Sequence, residues 1–209
     1  PLWRWSNVIS RAIDNHCHRV FFPSQATRYF DGSGKGELWI PDLLEITSVS
    51  YSVDNGQTYT ALSTSDYFAT VDKDYNSPKS YSVILVNPLS STLAFWPACK
   101  RAVRITGIWG YADDRAEAWD SSGDTVQDDP LAADATAITV ADADGPDLFG
   151  MTPRFQAGQL AKLGSEIVEI TAIDAEDNKL TAARGRNGSA AAEHAKNTTI
   201  YLWRVPEPV

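Results

Sequence analysis

Three short runs of the sequence hold residue types that could do chemistry, and the first is a glycine-rich loop with a lysine, Gly32-Ser-Gly-Lys-Gly36. A P-loop that binds nucleotide phosphates needs Gly-Lys followed by Ser or Thr, with another glycine five residues earlier. Here Gly36 follows Lys35, and Tyr29 occupies the earlier position. A strand pattern also follows the loop, where a P-loop needs a helix. We therefore predict that this loop binds no nucleotide.

The second run, His16-Cys17-His18, combines two metal-ligating residue types. It falls in a predicted helix, where residues two positions apart point to nearly opposite sides, so His16 and His18 cannot share one ion without further ligands. The only other histidine is His194, and no Cys-x-x-Cys or His-Glu-x-x-His motif supports a zinc site. We predict that Cys17 is buried, that both flanking histidines are partly exposed, and that no metal is bound.

The third run, Asp142-Ala-Asp144-Gly145, is similar to the start of a calcium-binding loop. An EF-hand beginning at Asp142 would need glycine at its sixth position and glutamate at its twelfth. Asp147 and Pro153 stand there, so the motif fails, and only an adventitious cation is left open. A positively charged run, Arg184-Gly-Arg186, is interpreted as a hairpin turn with surface charge. None of these runs supports catalysis, so we predict a protein that is not an enzyme and has no cofactor.

Composition narrows the function classes further. The chain has 209 residues, is 43% hydrophobic and carries a formal net charge of −9, which predicts a folded protein and argues against one that coats nucleic acid. No apolar run approaches the roughly 20 residues of a membrane span, so no membrane partner is expected. With only Cys17 and Cys99 present, both are predicted to be free thiols.

The negative charge is concentrated in the second half of the chain. Residues 1–111 hold ten Lys and Arg against nine Asp and Glu, whereas residues 112–209 hold eight against eighteen. Residues 120–130 combine turn formers and charge with few apolar residues, which is typical of a linker or long loop. We therefore predict an acidic connector over residues 113–134. It is interpreted as a solvated connector, with a site for a cation or a basic partner as the alternative.

Periodicity predicts the elements on either side of this connector. Residues 1–22 have apolar residues at helical spacing, with Pro1 at the start and Pro23 after the end, and this predicts an amphipathic α-helix. The apolar stripe consists of Trp5, Val8, Ile9, Ala12, Ile13, Cys17, Val20 and Phe21.

Two β modules are predicted to follow the helix, at residues 23–112 and 135–209. In the first, Pro41 is expected to end a short strand, Asp54-Asn-Gly56 predicts a hairpin, and a long strand over 101–111 should turn Val103, Ile105 and Ile108 inward. In the second, five strands are predicted at 137–140, 159–163, 166–173, 179–182 and 199–203. The fold class is thus mainly β with an N-terminal amphipathic helix, and the two small modules are sandwich-like or barrel-like.

Aromatic residues provide the candidate interaction sites. The seven tryptophans are spread too widely for one small core, and tryptophan is a common anchor at interfaces. Trp119, inside the acidic connector, is the best single candidate for a contact between chains, with packing against its own domain as the alternative. The other candidate interface residues lie on the N-terminal segment: Trp3, Trp5, Val8, Ile9 and Ile13.

Six short motifs in the first half of the chain are similar to motifs of a known protein family. Residues 9–21, 26–32, 38–42, 53–56, 65–67 and 103–111, in this order, resemble those of head–tail connector (adaptor) proteins of tailed bacteriophages, so the likeness covers about residues 5–112. In the second module, Arg184-Gly-Arg-Asn-Gly-Ser189, then small residues and His194, resemble a small β module of phage virion proteins. That module has an Arg-Gly-x-Asn-Gly-(Ser/Thr) turn.

The resemblance implies a structural virion protein at the head–tail junction, assembled in the host cytoplasm. Such adaptors form a homo-oligomeric ring, commonly of twelve copies, between the portal protein and the neck or tail proteins, and DNA passes through the channel without specific binding. A ring needs head-to-tail contacts between different patches rather than a self-complementary one. The alternative hypothesis is a tail or baseplate module that binds a host surface glycan through exposed tryptophans and acidic residues.

Overall fold

The computed structural model describes residues 12–72, 74–148, 150 and 152–205. Within these ranges the chain forms two compact units: the first comprises the residues up to Arg115 together with Val205, and the second comprises Ala116–Arg204. Each unit is built on a six-stranded antiparallel sheet, so the predicted fold class, mainly β with an N-terminal helix and two β modules, is confirmed. No helix in the described ranges is long and apolar enough to span a membrane.

The helix near the N-terminus, α1, covers residues 12–17 of the described range, and the prediction that it continues to residue 22 is wrong. His18 adopts a left-handed φ of 53°, and Arg19 N donates a hydrogen bond to Asp14 O at 3.1 Å. A left-handed residue combined with this bond is a Schellman C-cap, which ends a helix. Beyond it, Tyr111 N donates to Val20 O at 2.8 Å, so the chain there is held by the first unit instead.

The first unit contains six strands: β1 Ser24–Phe30, β2 Glu37–Tyr51, β3 Thr60–Ala61, β4 Tyr67–Thr70, β5 Tyr81–Val86 and β6 Val103–Trp109. They pair in the order β1-β6-β2-β5-β4, with β3 on β2. The predicted hairpin is confirmed, since Ser50 pairs with Ala61 and Tyr51 with Thr60. Its loop contains Gly56 at φ 81°, where a Cβ would lie 2.7 Å from the Tyr59 hydroxyl.

Pro41 does not end a strand, contrary to prediction. Strand β2 runs through it, and the register against β5 shifts between Trp39 and Leu43. A bulge tolerates proline because the unpaired residue needs no N–H for the ladder. After the shift Leu43 pairs with both Tyr81 of β5 and Trp109 of β6, and the rest of β2 pairs with β6.

The core of the first unit confirms the inward direction predicted for two of three residues on β6. Val103 and Ile105 are fully buried in the core. Ile108 is 6% exposed, but it lies outside the core cluster on the opposite face of the strand, so the prediction is wrong for its direction. Two fully buried indoles complete the core and satisfy their N–H groups on backbone carbonyls: Trp109 Nε1 donates to Ala26 O at 2.9 Å, and Trp96 Nε1 donates to Ile84 O at 3.3 Å.

The second unit also contains six strands: β7 Trp119–Thr125, β8 Ala137–Thr139, β9 Leu160–Leu163, β10 Glu166–Asp174, β11 Lys179–Ala183 and β12 Thr199–Trp203. Their order in the sheet is β7-β12-β9-β10-β11-β8. All five predicted strands are confirmed within one or two residues at their ends, and β7 is the addition.

Strand β7 lies inside the segment predicted as a solvated connector, so that prediction is wrong over Trp119–Thr125. The strand pairs with β12, and the residues after it enter the core, where Val126 and Leu131 are buried. The sequence pattern did not predict β7 because most residues of the strand are polar or acidic. Asp124 is buried at 3% exposure, a position that a charge pattern assigns to solvent.

Candidate functional site

The most heavily bonded group of charged side chains lies inside the second unit, around Glu166. Its Oε1 accepts hydrogen bonds from Arg184 Nε at 2.8 Å and Gly185 N at 2.9 Å. Its Oε2 accepts from Arg184 Nη2 at 2.8 Å and Ala192 N at 3.1 Å, and it lies 2.8 Å from His194 Nε2. We call Glu166, Arg184 and His194 the buried triad.

The buried triad is a structural element because its polar atoms are already engaged. Burial raises the pKa of Glu166, but hydrogen bonds from Arg184, His194 and two backbone amides outweigh this and lower it to about 2. The carboxylate therefore stays ionised with five donors around it, which leaves it no free lone pair for a substrate or ion.

Arg184 is not the surface charge that the sequence predicted. Its side chain is 6% exposed, and beyond Glu166 it donates to the carbonyl oxygens of Ala132, Ala135 and Ala192 at 3.1, 2.8 and 2.7 Å. The guanidinium thus joins strand β10 to two loops, the one before β8 and the one between β11 and β12. The Arg-Gly-x-Asn-Gly-Ser turn and the following histidine work as one unit that holds Glu166.

A second buried acid stabilises the loop that is similar to a calcium site. Asp124 Oδ1 accepts from Ala141 N at 3.0 Å, and its Oδ2 accepts from Asp142 N at 2.9 Å and lies 3.4 Å from Arg154. Asp142 accepts from Gly145 N at 2.9 Å, and a Cβ on Gly145 would clash with the same carboxylate at 1.9 Å. Protein donors therefore occupy these carboxylates, and Asp144 alone in the run is exposed.

The other two runs with possible chemistry are the glycine loop and the His-Cys-His run: the backbone of the first holds another segment, and the second is exposed. In the glycine loop, Gly32 N donates to Cys99 O at 3.0 Å and Lys35 O accepts from Trp96 N at 2.9 Å, so its backbone holds the segment that carries Trp96. His16, Cys17 and His18 are all exposed, which corrects the buried position predicted for Cys17. Among the described residues, no group of three or more His, Cys, Asp or Glu is arranged to hold a metal ion.

Two of the six candidate interface residues lie in the described ranges. Ile13 on α1 is 48% exposed. Trp119 packs against Trp203 in its own unit, with ring centroids 5.2 Å apart, and Lys162 Nζ lies 4.9 Å from its ring centre. The packing of Trp119 within its own unit is thus observed, and its contact with another chain stays a prediction. The remaining candidates, Trp3, Trp5, Val8 and Ile9, lie outside the described residues.

Sequence reasoning did not find an aromatic groove in the first unit. Its volume is about 530 Å³, and its lining includes Tyr67, Phe68, Tyr75 and Tyr81. Phe68 and Tyr75 are 43% and 60% exposed and meet edge to face at 6.4 Å. Part of this was readable in the sequence, since the alternation in β4 turns Phe68 away from buried Tyr67. Tyr75, between strands, gave no signal.

A second surface of the first unit stacks two arginines on two tyrosines. Arg101 Cζ lies 4.2 Å from the Tyr29 ring centre, and Arg104 Cζ lies 4.4 Å from that of Tyr59. The two rings are 5.9 Å apart, and the Tyr59 hydroxyl donates to Arg101 O at 2.9 Å. We call these four residues the tyrosine–arginine surface.

No family model, curated protein or solved structure matches this chain. The functional argument therefore rests on residues and geometry: two buried charge clusters that serve the fold, an exposed apolar stripe on α1, an aromatic groove and the tyrosine–arginine surface.

Proposed function

We propose that this protein is a structural virion protein of a tailed phage, a head–tail adaptor that forms an oligomeric ring between the portal and the neck or tail. The observation that carries the proposal is the exposure of the apolar stripe in its described part. On α1, Ile13 is 48% exposed, and Ala12 and Cys17 are also exposed. Val20, which follows the end of the helix, is 37% exposed. This stripe belongs to the segment that resembles the start of adaptor proteins.

An exposed apolar stripe at helical spacing needs a partner. A short helix is marginal in water by itself and gains most of its stability when its apolar face packs against other structure. Since this face of α1 is open to solvent in a single chain, a neighbouring copy or the portal is the partner we infer.

The charge distribution supports head-to-tail assembly. The second unit, Ala116–Arg204, holds fifteen Asp and Glu against seven Lys and Arg, while residues 1–111 are almost balanced. Two different surfaces suit the heterologous contacts of a ring, in which each copy binds its neighbour through unlike patches. An acidic unit near the channel would also let DNA pass without tight binding, because tight binding of the DNA phosphates requires clustered basic groups.

The buried clusters support a role without catalysis. The carboxylates of Glu166 and Asp124 are enclosed and bonded to protein donors, and such saturated groups stabilise a scaffold rather than react. A scaffold that must survive in a virion benefits from that rigidity.

The experiment mixes the purified chain with portal rings of the same phage and measures particle mass by mass photometry. We expect the chain to form a ring and to add that mass to the portal. A chain that stays monomeric at high concentration and never joins the portal contradicts the proposal. The same measurement on Ile13→Asp tests whether α1 supplies the contact.

The aromatic groove favours a second candidate function, the binding of a host surface glycan by a tail or baseplate module. Exposed aromatic rings such as Phe68 and Tyr75 provide apolar faces for sugar rings, and tyrosine hydroxyls provide hydrogen bonds. A glycan array tests this with Tyr75→Ala against Trp39→Ala, an exposed aromatic that does not line the groove. Binding lost only in Tyr75→Ala supports the candidate, and a blank array for the unmodified chain removes it.

A further inference from the structure

The tyrosine–arginine surface is preorganised to bind an anionic group. Each guanidinium stacks on a ring, which covers one planar face and leaves N–H groups at its edge to donate. On Arg104, Nη2 already donates to Ser50 Oγ at 3.4 Å, and its other N–H groups remain for a partner. Arg101 is exposed and Arg104 half-buried, and in the described part of the chain no carboxylate oxygen lies within 4.0 Å of either guanidinium group. The nearby Asp31 carboxylate accepts from the backbone N of Arg101 at 2.8 Å and is paired with Lys100. Stacking restricts both side chains before any partner arrives, which lowers the entropy cost of binding.

The second unit presents a matching set of carboxylates at one end of its sheet. The loop 141–147 and the turn 174–178 are joined by Asn178, whose Oδ1 accepts from Ala143 N at 2.9 Å and whose backbone O accepts from Val140 N at 3.0 Å. Asp144, Asp174 and Glu176 are exposed at this end. Among the described residues no cationic group lies within 4.0 Å of their carboxylates. We call these three residues the acidic end.

We propose that the tyrosine–arginine surface of one copy binds the acidic end of a neighbouring copy. The occupant is a second copy because, among the described residues, the chain carries both halves of the contact: two guanidinium groups without an ion-pair partner and three carboxylates without one. A guanidinium fork matches a carboxylate in shape and binds it through two parallel hydrogen bonds. A free polyanion is disfavoured, because a chain of net charge −9 repels it. This inference rests on the proposed ring and names the surfaces that would form it.

Charge reversal tests the contact in the full chain. Arg101→Glu/Arg104→Glu reverses one surface, and Asp174→Lys/Glu176→Lys reverses the other. Each variant alone should weaken self-association about tenfold or more, since like charges then face each other. An equimolar mixture of the two variants should recover assembly, because each reversed surface meets its complement. Mass photometry over a concentration series gives the oligomer fraction, and thermal melting of each variant verifies folding.

Matched controls carry the same charge changes elsewhere. Lys35→Glu/Lys79→Glu alters exposed lysines of the first unit, and Asp129→Lys/Asp134→Lys alters exposed acids of the second. Both controls should assemble like the unmodified chain. If a reversal has the same effect as its control, or the mixture of reversed variants fails to recover assembly, the inference is wrong.

The outcomes separate this inference from the proposed function. If the unmodified chain forms rings and Arg101→Glu/Arg104→Glu forms them equally well, the proposed contact is wrong and the adaptor proposal is unaffected. A chain that is monomeric with and without the portal overturns both. Fluorescence anisotropy with labelled duplex DNA tests nucleic acid as the other possible occupant. If the unmodified chain binds DNA, and Arg101→Glu/Arg104→Glu loses that binding but assembles as before, the surface binds nucleic acid and the proposed contact between copies is wrong.

Discussion

Glu166 and His194 meet inside the second unit, with Oε2 and Nε2 2.8 Å apart and both side chains nearly inaccessible to solvent. They are 28 residues apart in the sequence, and the turn that begins with Arg184 brings them together. The interior of the second unit therefore contains a charged cluster in addition to its apolar core.

Removal of Arg184 should destabilise the protein strongly. Arg184→Ala leaves the Glu166 carboxylate, which is 0% exposed, without its guanidinium partner. Breaking a buried ion pair in this way costs about 3–5 kcal/mol of unfolding free energy. The control is Arg186→Ala, whose pair with Glu169 is 48% and 33% exposed and should be worth less than about 1 kcal/mol. Urea unfolding at neutral pH compares the two, and equal losses would contradict the role of the triad.

Acid should destabilise the second unit through Glu166. Its pKa falls from 4.5 to about 2 on folding, so its contribution is fully present above pH 4.5 and is lost as the pH falls toward 2. The shift corresponds to roughly 3 kcal/mol. The unfolding free energy, measured between pH 7 and 2, should therefore fall more steeply for the natural chain than for Glu166→Gln. Parallel curves for the two proteins would show that this carboxylate does not govern acid stability.

Ile13→Asp should weaken assembly and leave folding almost unchanged. The residue is 48% exposed on α1, and substitutions at exposed positions usually change stability by less than about 0.5 kcal/mol. Leu89→Asp is the matched control, since Leu89 is an exposed aliphatic residue, at 92%, outside the proposed contact. Thermal melting and particle mass are measured for both variants. Equal loss of stability and assembly in Ile13→Asp would show that the residue serves the fold instead.

Truncation should separate the two units at Arg115. A chain that ends there keeps every strand of the first sheet, so we expect it to be soluble and to melt cooperatively. A chain that ends at residue 134 instead retains β7 without β12, its neighbour in the sheet, and exposes the strand edge and Leu131. We expect that longer chain to aggregate more. Circular dichroism and light scattering compare them. A molten fragment ending at Arg115 would contradict two independently folding units.

Local sequence patterns correctly predicted the elements that depend only on neighbouring residues. The alternation of apolar residues found β6 and the turn residues found the hairpin after β2, because strand period and turn chemistry depend on neighbouring residues. The same reasoning overextended α1 and ended a strand at Pro41. The left-handed His18 and its C-cap end α1, and a bulge against β5 lets β2 continue through Pro41, so the apolar pattern alone could not place either boundary.

The sequence by itself determined the mainly β class, the five strands of the second unit found by pattern and the inward direction of Val103 and Ile105 on β6, since these follow from period and turn residues. The tertiary structure alone decided that Asp124 and Arg184 are buried, that β7 belongs to a sheet and that Arg101 and Arg104 stack on tyrosines. From its neighbours in the sequence alone, a charged residue is always predicted to be exposed. Only the fold brings it a partner from far along the chain, and that partner's hydrogen bonds offset the cost of removing the charge from water.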